Sequence, residues 1–280
     1  MSYLERIEKH IDGFDEMPPL CRSLLSSLDD PDVDFKTIKE TVQYDPGLTA
    51  NVLKLANSVY FGAAQEVNSL QAALVRLGTR RIFELVLSLA VSPRLVTSLP
   101  GYGLEGRDLL RHSIWTSVAA QELAGILEMK DVDTVFTAGL VHDLGILMLD
   151  PFIEEQHDRF TQIIEEQAIS FDKAEQEVLG ISHAEAGARV LSRWQLGGET
   201  VDSVRWHHDP DSAGQHQSLV YLVHLADMLA LSEGIGTGIY GLNFNVSGES
   251  VKALGLKKRH LEYTASKTLD RMRALENILT

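Results

Sequence analysis

The chain has 280 residues, 44% of them hydrophobic, and a formal net charge of −15 from 40 acidic and 25 basic residues. This length suits one large domain or two smaller ones, and the apolar fraction suffices for a real core. The acidic balance argues against a nucleic-acid partner, because a broad nucleic-acid surface needs clustered Lys and Arg to displace counterions. The short basic runs Arg80-Arg81 and Lys257-Lys258-Arg259-His260 read as solvated helix ends. Cys21 is the only cysteine, which excludes an intrachain disulfide and a cysteine zinc cluster and favours a reducing, cytoplasmic compartment. The charged start has no apolar h-region, so it is not a signal peptide. The longest uncharged apolar run noted, Leu85 to Val91, falls far short of the ~20 residues that span a bilayer, so no membrane partner is expected.

Helical periodicity dominates and predicts an all-α fold. Asp45 suits an N-cap and Pro46 the first helical position, and the helix that follows puts Leu48, Val52, Leu55 and Ala56 on one face. A turn at Asn57-Ser58 leads to Tyr60-Phe61. It is a candidate partner surface, or its aromatic pair anchors the loop to the core. Ser69 can cap a helix that stops at Gly78, and Thr79 one that ends before Pro93. Ser98 to Gly106 holds three glycines and a proline and is the best boundary. It divides a helical N-terminal lobe, residues 1–100, from a second helical lobe, residues 107–280.

In the second lobe, Arg107 to Glu128 reads as one long helix. Asp131 or Asp133 can cap a helix running through FTAGLVHDLGIL. Pro151 opens another helix, FDKAEQEVLG forms one more, and Ser182 caps HAEAGARVLSRW. Short and longer helices follow at Val201 to His208 and Gln217 to Ser232. The glycine-rich stretch Gly234 to Gly241 reads as a flexible loop, and a last helix covers roughly Lys257 to Leu279.

Five histidines and two aspartates form an ordered series: His112, His142-Asp143, His183, His207-His208 and Asp227. Imidazole and carboxylate suit borderline divalent ions such as Fe, Mn, Ni or Zn. The series exceeds what one tetrahedral ion needs, so one or two ions are expected, with Asp143 the natural bridge. Asp143 and Asp227 lie in apolar helical stretches, where an unpartnered carboxylate costs several kcal/mol. Against this, a lone histidine on an apolar helix is more often a satisfied core residue, and His207-His208 can be a helix C-terminus favoured by the dipole. His224, one turn before Asp227, either ligates or orients it. His10, His157, His216 and His260 read as surface residues.

The string His142-Asp143-Leu144-Gly145 resembles the HD superfamily signature, and His112, His142, Asp143 and Asp227 are similar to its single-metal quartet. His183, in SHAEAG, with His207-His208, resembles the second metal set of the HD-GYP branch. The first half is more specific. Met17-Pro18-Pro19-Leu20, Asp45-Pro46-Gly47-Leu48-Thr49, Leu53-Lys54-Leu55-Ala56-Asn57-Ser58 and Ala72 to Gly78 look like the HDOD domain, a bacterial signalling module. The resemblance runs from about residue 10 to 235. It implies an all-helical fold, a signal-transduction role, a signalling protein partner and a retained HD-type metal site. Two departures matter. Ile146 stands where HD-GYP phosphodiesterases carry lysine, and no Gly-Tyr-Pro follows the paired histidines. Cyclic di-GMP hydrolysis is therefore not expected. A metal-dependent phosphohydrolase acting on a nucleotide or another phosphate ester is the alternative, and an oxygenase-like di-iron site a third option.

Overall fold

The computed structural model describes residues 3–13, 17, 21, 22, 24, 39, 42, 43, 46–58, 67–129, 132–236, 238 and 246–279. It is 75% helical, as the periodicity predicts. Among the described residues the only β contact is an isolated bridge between Leu99 and Leu104.

The chain forms two units. One holds Met17–Pro93 with Leu269–Thr280, the other Met1–Glu16 with Arg94–Thr268. The break thus falls a few residues before the glycine-rich stretch, and the first residues belong with the second unit rather than the first. The reason is the amphipathic helix α1 (Tyr3–Asp12), which buries Ile7 and Ile11. Charges on its flanks reach later helices: Arg6 pairs with Glu155 at 2.9 Å, Arg189 with Glu8 at 3.5 Å, and Arg193 with Asp12.

In the first unit, α2 (Pro46–Ala56) buries Leu48, Val52, Leu55 and Ala56, the face the spacing predicts. Its expected cap Asp45 lies outside the described residues, as do Pro18, Pro19, Leu20, Tyr60 and Phe61. Asn57 explains part of its motif. Its amide donates to the Val67 carbonyl at 2.8 Å, and its oxygen accepts from the Val67 N–H at 2.7 Å. One side chain thereby joins Asn57 to Val67 by both polar atoms of its amide. Helix α3 (Leu70–Leu95) starts where Ser69 accepts from the Ala72 N–H at 3.2 Å. Gly78, at φ 75 and ψ 165, breaks it where the sequence predicts a stop. Pro93, expected just beyond its end, lies inside the last turn, where it removes one N–H from the helix ladder shortly before the helix stops at Leu95.

The second unit is built on α4 (Asp108–Ile126), α5 (Val132–Val141) and α11 (Gln217–Ser232), which pack on one another. Between them lie α6 (Ile146–Glu155), α7 (His157–Gln167), α8 (Phe171–Leu179), α9 (His183–Arg193) and α10 (Gly198–Trp206). Two more helices follow, α12 (Gly248–Ala253) and α13 (Lys258–Leu279), of which α13 belongs to this unit only as far as Thr268. Helix α5 begins at Val132, so Asp133 is inside its first turn, and Asp131 lies outside the described residues. Pro151 does not open a helix; it sits inside α6. Helix α9 is capped as expected, with the Ser182 hydroxyl accepting from the Glu185 N–H at 3.3 Å.

The expected helix through FTAGLVHDLGIL is not continuous. Helix α5 stops at Val141, residues 142–145 form turns, and α6 starts at Ile146. The turn bonds are Leu144 N–H to Val141 O at 3.0 Å and Ile146 N–H to Asp143 O at 3.0 Å. The whole stretch Thr134–Glu155 is long and apolar enough to cross a membrane by length and composition alone, although Asp143 and Asp150 interrupt it, so it is not an uncharged run. Its most apolar window is 89% buried within the protein, and the turn carries Asp143. This apolarity is that of a core element.

Glycine makes the close approaches. A Cβ on Gly139 would stand 2.8 Å from Ser117 Cα, so only glycine lets α5 lie this near α4. A Cβ on Gly145 would stand 1.9 Å from the His183 carbonyl oxygen, against backbone that cannot swing away. We expect Gly145→Ala to destabilise by about 3 kcal/mol, the upper range for overpacking. Gly125→Ala should stabilise by about 0.5–1 kcal/mol, because a helical glycine with nothing within 4 Å gives way to a better helix former. Urea unfolding midpoints check both. A neutral Gly145→Ala would show that the turn is not seated on α9.

Candidate metal centre

All seven side chains singled out in the sequence come together in the second unit. His112, His142 and Asp227 form one group, and Asp143, His183, His207 and His208 another, each with its ligand-type atoms within 4.8 Å of one another. His112 comes from the second turn of α4, and His142 and Asp143 from the turn after α5. His183 opens α9, His207 and His208 follow the end of α10, and Asp227 projects from α11. Because His142 and Asp143 sit in a turn, they converge without the 100° divergence of helical neighbours.

The imidazoles are aimed from behind. His112 Nδ1 lies 2.9 Å from Ile235 O, His142 Nδ1 2.8 Å from Gly139 O, and His207 Nδ1 2.6 Å from Val204 O. A carbonyl oxygen can only accept, so each Nδ1 carries a proton and each Nε2 is the nitrogen left to take a further proton or an ion. His183 Nδ1 donates instead to Glu175, 2.8 Å from Oε2 and 2.9 Å from Oε1. The Nε2 atoms then face inward. His112 and His142 approach to 3.2 Å, and His183 and His208 to 2.9 Å.

Asp143 lies between the two groups. Its Oδ2 is 3.1 Å from His142 Nε2 and 3.4 Å from His112 Nε2. Its Oδ1 is 3.4 Å from His183 Nε2 and 3.5 Å from His207 Nε2. Each oxygen therefore addresses one pair of histidines. Asp227 Oδ1 lies 3.0 Å from His112 Nε2 and 3.9 Å from His142 Nε2.

Inward lone pairs at these distances need positive charge between them. Protons answer part of the need. Burial pulls the His112 imidazole down, but the hydrogen bond and charge of Asp227, with the charge of Asp143, raise it to about 9. Burial also works against His183, and the Glu175 charge and Asp143 outweigh it, so it stands well above the usual imidazole range. His208 goes the other way, pushed well down by burial and by the neighbouring His207 and His183. Burial would raise Asp143 and Asp227, yet the surrounding imidazoles hold both below the usual carboxylate range.

Protons do not answer all of it. His207 Nε2 and Asp227 Oδ2 are buried with no hydrogen-bond partner among the described residues. Both belong to the cluster, and both are ordinary metal donors. Ligand atoms ~2.1 Å from a common ion sit about 3 Å apart, close to the spacings seen here. The residues present thus fit one or two divalent ions of the nitrogen- and oxygen-preferring kind.

Three residues near the cluster escaped the sequence reading or changed role. Glu175 is fully buried on α8 and holds His183 twice, accepting from its Nδ1 and, at 2.7 Å, from its backbone N–H. Tyr102 donates to Glu175 Oε1 at 2.6 Å. The available signal was Glu175 sharing a helix face with Val178 and Leu179, hidden by two other acids in the same helix, Asp172 and Glu177. His224 is not a ligand candidate. Its Nδ1 donates to His207 O at 2.7 Å and its Nε2 accepts from the Ser247 N–H at 3.0 Å, so both nitrogens are used. Of Gly234 to Gly241, residues 234–236 and 238 are described, and Ile235 and Gly236 lie against His112. A Cβ on Gly236 would stand 2.6 Å from His112 Cβ. His10, His157, His216 and His260 stay outside the cluster.

The profile of the HDOD domain family matches residues 15–210. An uncharacterised protein of Treponema pallidum (strain Nichols) is 25% identical over 229 residues, 79% of this chain and 43% of that protein. The chain therefore spans less than half the length of this relative. An HDOD domain protein of unknown function from Geobacter sulfurreducens has a crystal structure similar at TM-score 0.76, with 24% identity, over 99% of this chain and 98% of that one. A provisionally assigned phosphohydrolase from Shewanella amazonensis SB2B is similar at TM-score 0.73 and 23% identity, over 98% of both chains. A provisionally assigned signal transduction protein from Marinobacter aquaeolei VT8 is similar at TM-score 0.74 and 20% identity, over 99% of this chain and 65% of that one. These structures share the fold, and the family match covers most of the sequence: the chain belongs to the HDOD domain family.

Proposed function

We propose that this protein is a signalling module that keeps a two-ion HD-type metal centre and acts by binding a protein partner rather than by hydrolysing cyclic di-GMP. His112, His142 and Asp227 would hold one ion, and His183, His207 and His208 the other, with Asp143 shared. The observation that carries this reading is the inward set of Nε2 lone pairs on either side of one carboxylate, each ring fixed by an outward Nδ1–H. Such outer hydrogen bonds set the tautomer and direction of a ligating histidine.

The residues that would grip phosphate weigh against turnover. Ile146, at the position where a lysine is expected, is a buried apolar residue at the start of α6. Lys173 is exposed on α8, and Arg205 faces Glu185, 3.5 Å away. Losing one charge-assisted contact is worth about 1.5–3 kcal/mol, on the order of ten- to a hundredfold in rate.

The second reading is a metal-dependent phosphohydrolase. It is favoured by the shared carboxylate, since two adjacent ions can orient a phosphate and generate a nucleophile from water near neutral pH. Protein expressed with supplemented metal should contain about two equivalents of a transition metal by elemental analysis, and Asp143→Ala should lose both. Less than one equivalent in the parent, or full content in Asp143→Ala, would contradict the shared site. Metal-loaded protein should turn over cyclic di-GMP and linear dinucleotides at less than about one per second. Faster turnover, abolished by Asp143→Ala, would move the protein to the enzyme class.

A further inference from the structure

The two halves of the cluster are unequal in charge. The His112–His142 half has Asp227 and one oxygen of Asp143 against two imidazoles. The other half has only the second oxygen of Asp143 against His183, His207 and His208. A divalent ion there would meet less negative charge in a site that excludes water.

Glu175 supplies what is missing without touching the ion position. It is 0% exposed, and every contact the structure gives its carboxylate is a donor: the Tyr102 hydroxyl, the His183 N–H and His183 Nδ1. A buried carboxylate is tolerated only when paired and hydrogen-bonded, so its place behind His183 needs a reason. Tyr102 is itself held. It lies in the loop whose Gly101 N–H donates to Asp150 Oδ1 at 2.9 Å, and a Cβ on Gly101 would stand 2.5 Å from Asp150 O. Its ring centroid lies 5.1 Å from that of Phe171 and 6.4 Å, in a T-shaped arrangement, from that of His183.

We infer that Glu175, steadied by Tyr102, is a positioning residue that enables the three-histidine half to hold its ion. By drawing on the Nδ1 proton it fixes the His183 ring and strengthens Nε2 as a donor. It also adds a negative charge one imidazole away from the ion. This inference rests on the two-ion reading above.

The test is titration of metal-free protein with cobalt(II) alone, followed by visible absorption and calorimetry. The parent should bind two equivalents. Glu175→Gln should keep one at parental affinity and weaken the other about 10- to 100-fold, the usual effect of an outer-shell partner. Asp227→Asn should weaken the opposite equivalent, with a different absorption band lost. Tyr102→Phe should follow Glu175→Gln in direction with a smaller effect, and it carries the test if Glu175→Gln does not fold. Two unchanged equivalents in Glu175→Gln, or equal weakening of both, would overturn the positioning role and leave the two-ion reading standing. A parent that binds no cobalt would overturn both.

Discussion

The centre depends on one constraint: a buried carboxylate, Asp143, faces four imidazole nitrogens whose protons have been committed elsewhere. Three of those rings give their Nδ1–H to backbone carbonyls, and the fourth gives it to Glu175. The backbone therefore sets the direction of three of these four nitrogens, and a buried carboxylate that of the fourth. The acceptors belong to separate segments: Gly139 in α5, Val204 in α10 and Ile235 after α11. Packing of these segments and construction of the site are thus one problem. Gly139 shows both sides of it, since its missing side chain seats α5 on α4 while its carbonyl aims His142.

Much of this was legible in the sequence because the informative residues are chemically unusual where they stand. Aspartates inside apolar runs and histidines in an ordered series have few bland explanations, and the structure gathers all seven. Amphipathic spacing located α2, α4, α9 and α11, and glycine with φ 75 marked the break in α3. The failures share a cause. Helical periodicity ran straight through the turn at residues 142–145, because apolar residues on both sides kept the pattern. The turn is set by tertiary contact, the approach of Gly145 to the His183 carbonyl, which no local pattern reports.

Outer residues were harder to read for the same reason. Glu175 looks like one acid among several in FDKAEQEVLG, and only the packing of α8 beside α9 gives it His183 as a partner. Tyr102 lies in a loop read as a boundary, yet its hydroxyl reaches into the core. His224 looked like a possible ligand by spacing. It is instead a brace, tying His207 O to the Ser247 N–H and so fixing the backbone that presents His207. Charge was also misleading at the N-terminus, where the flanks of α1 use their acids and bases to reach α6 and α9.

The central claim is that two ions flank Asp143. Anomalous scattering at the metal absorption edge, from crystals of protein expressed with that metal, tests it most directly. The account predicts two peaks, one within reach of His112, His142, Asp227 and Asp143 Oδ2, the other within reach of His183, His207, His208 and Asp143 Oδ1. A map with no peak in the cluster, or with a single peak that leaves Asp143 uncoordinated, would contradict it.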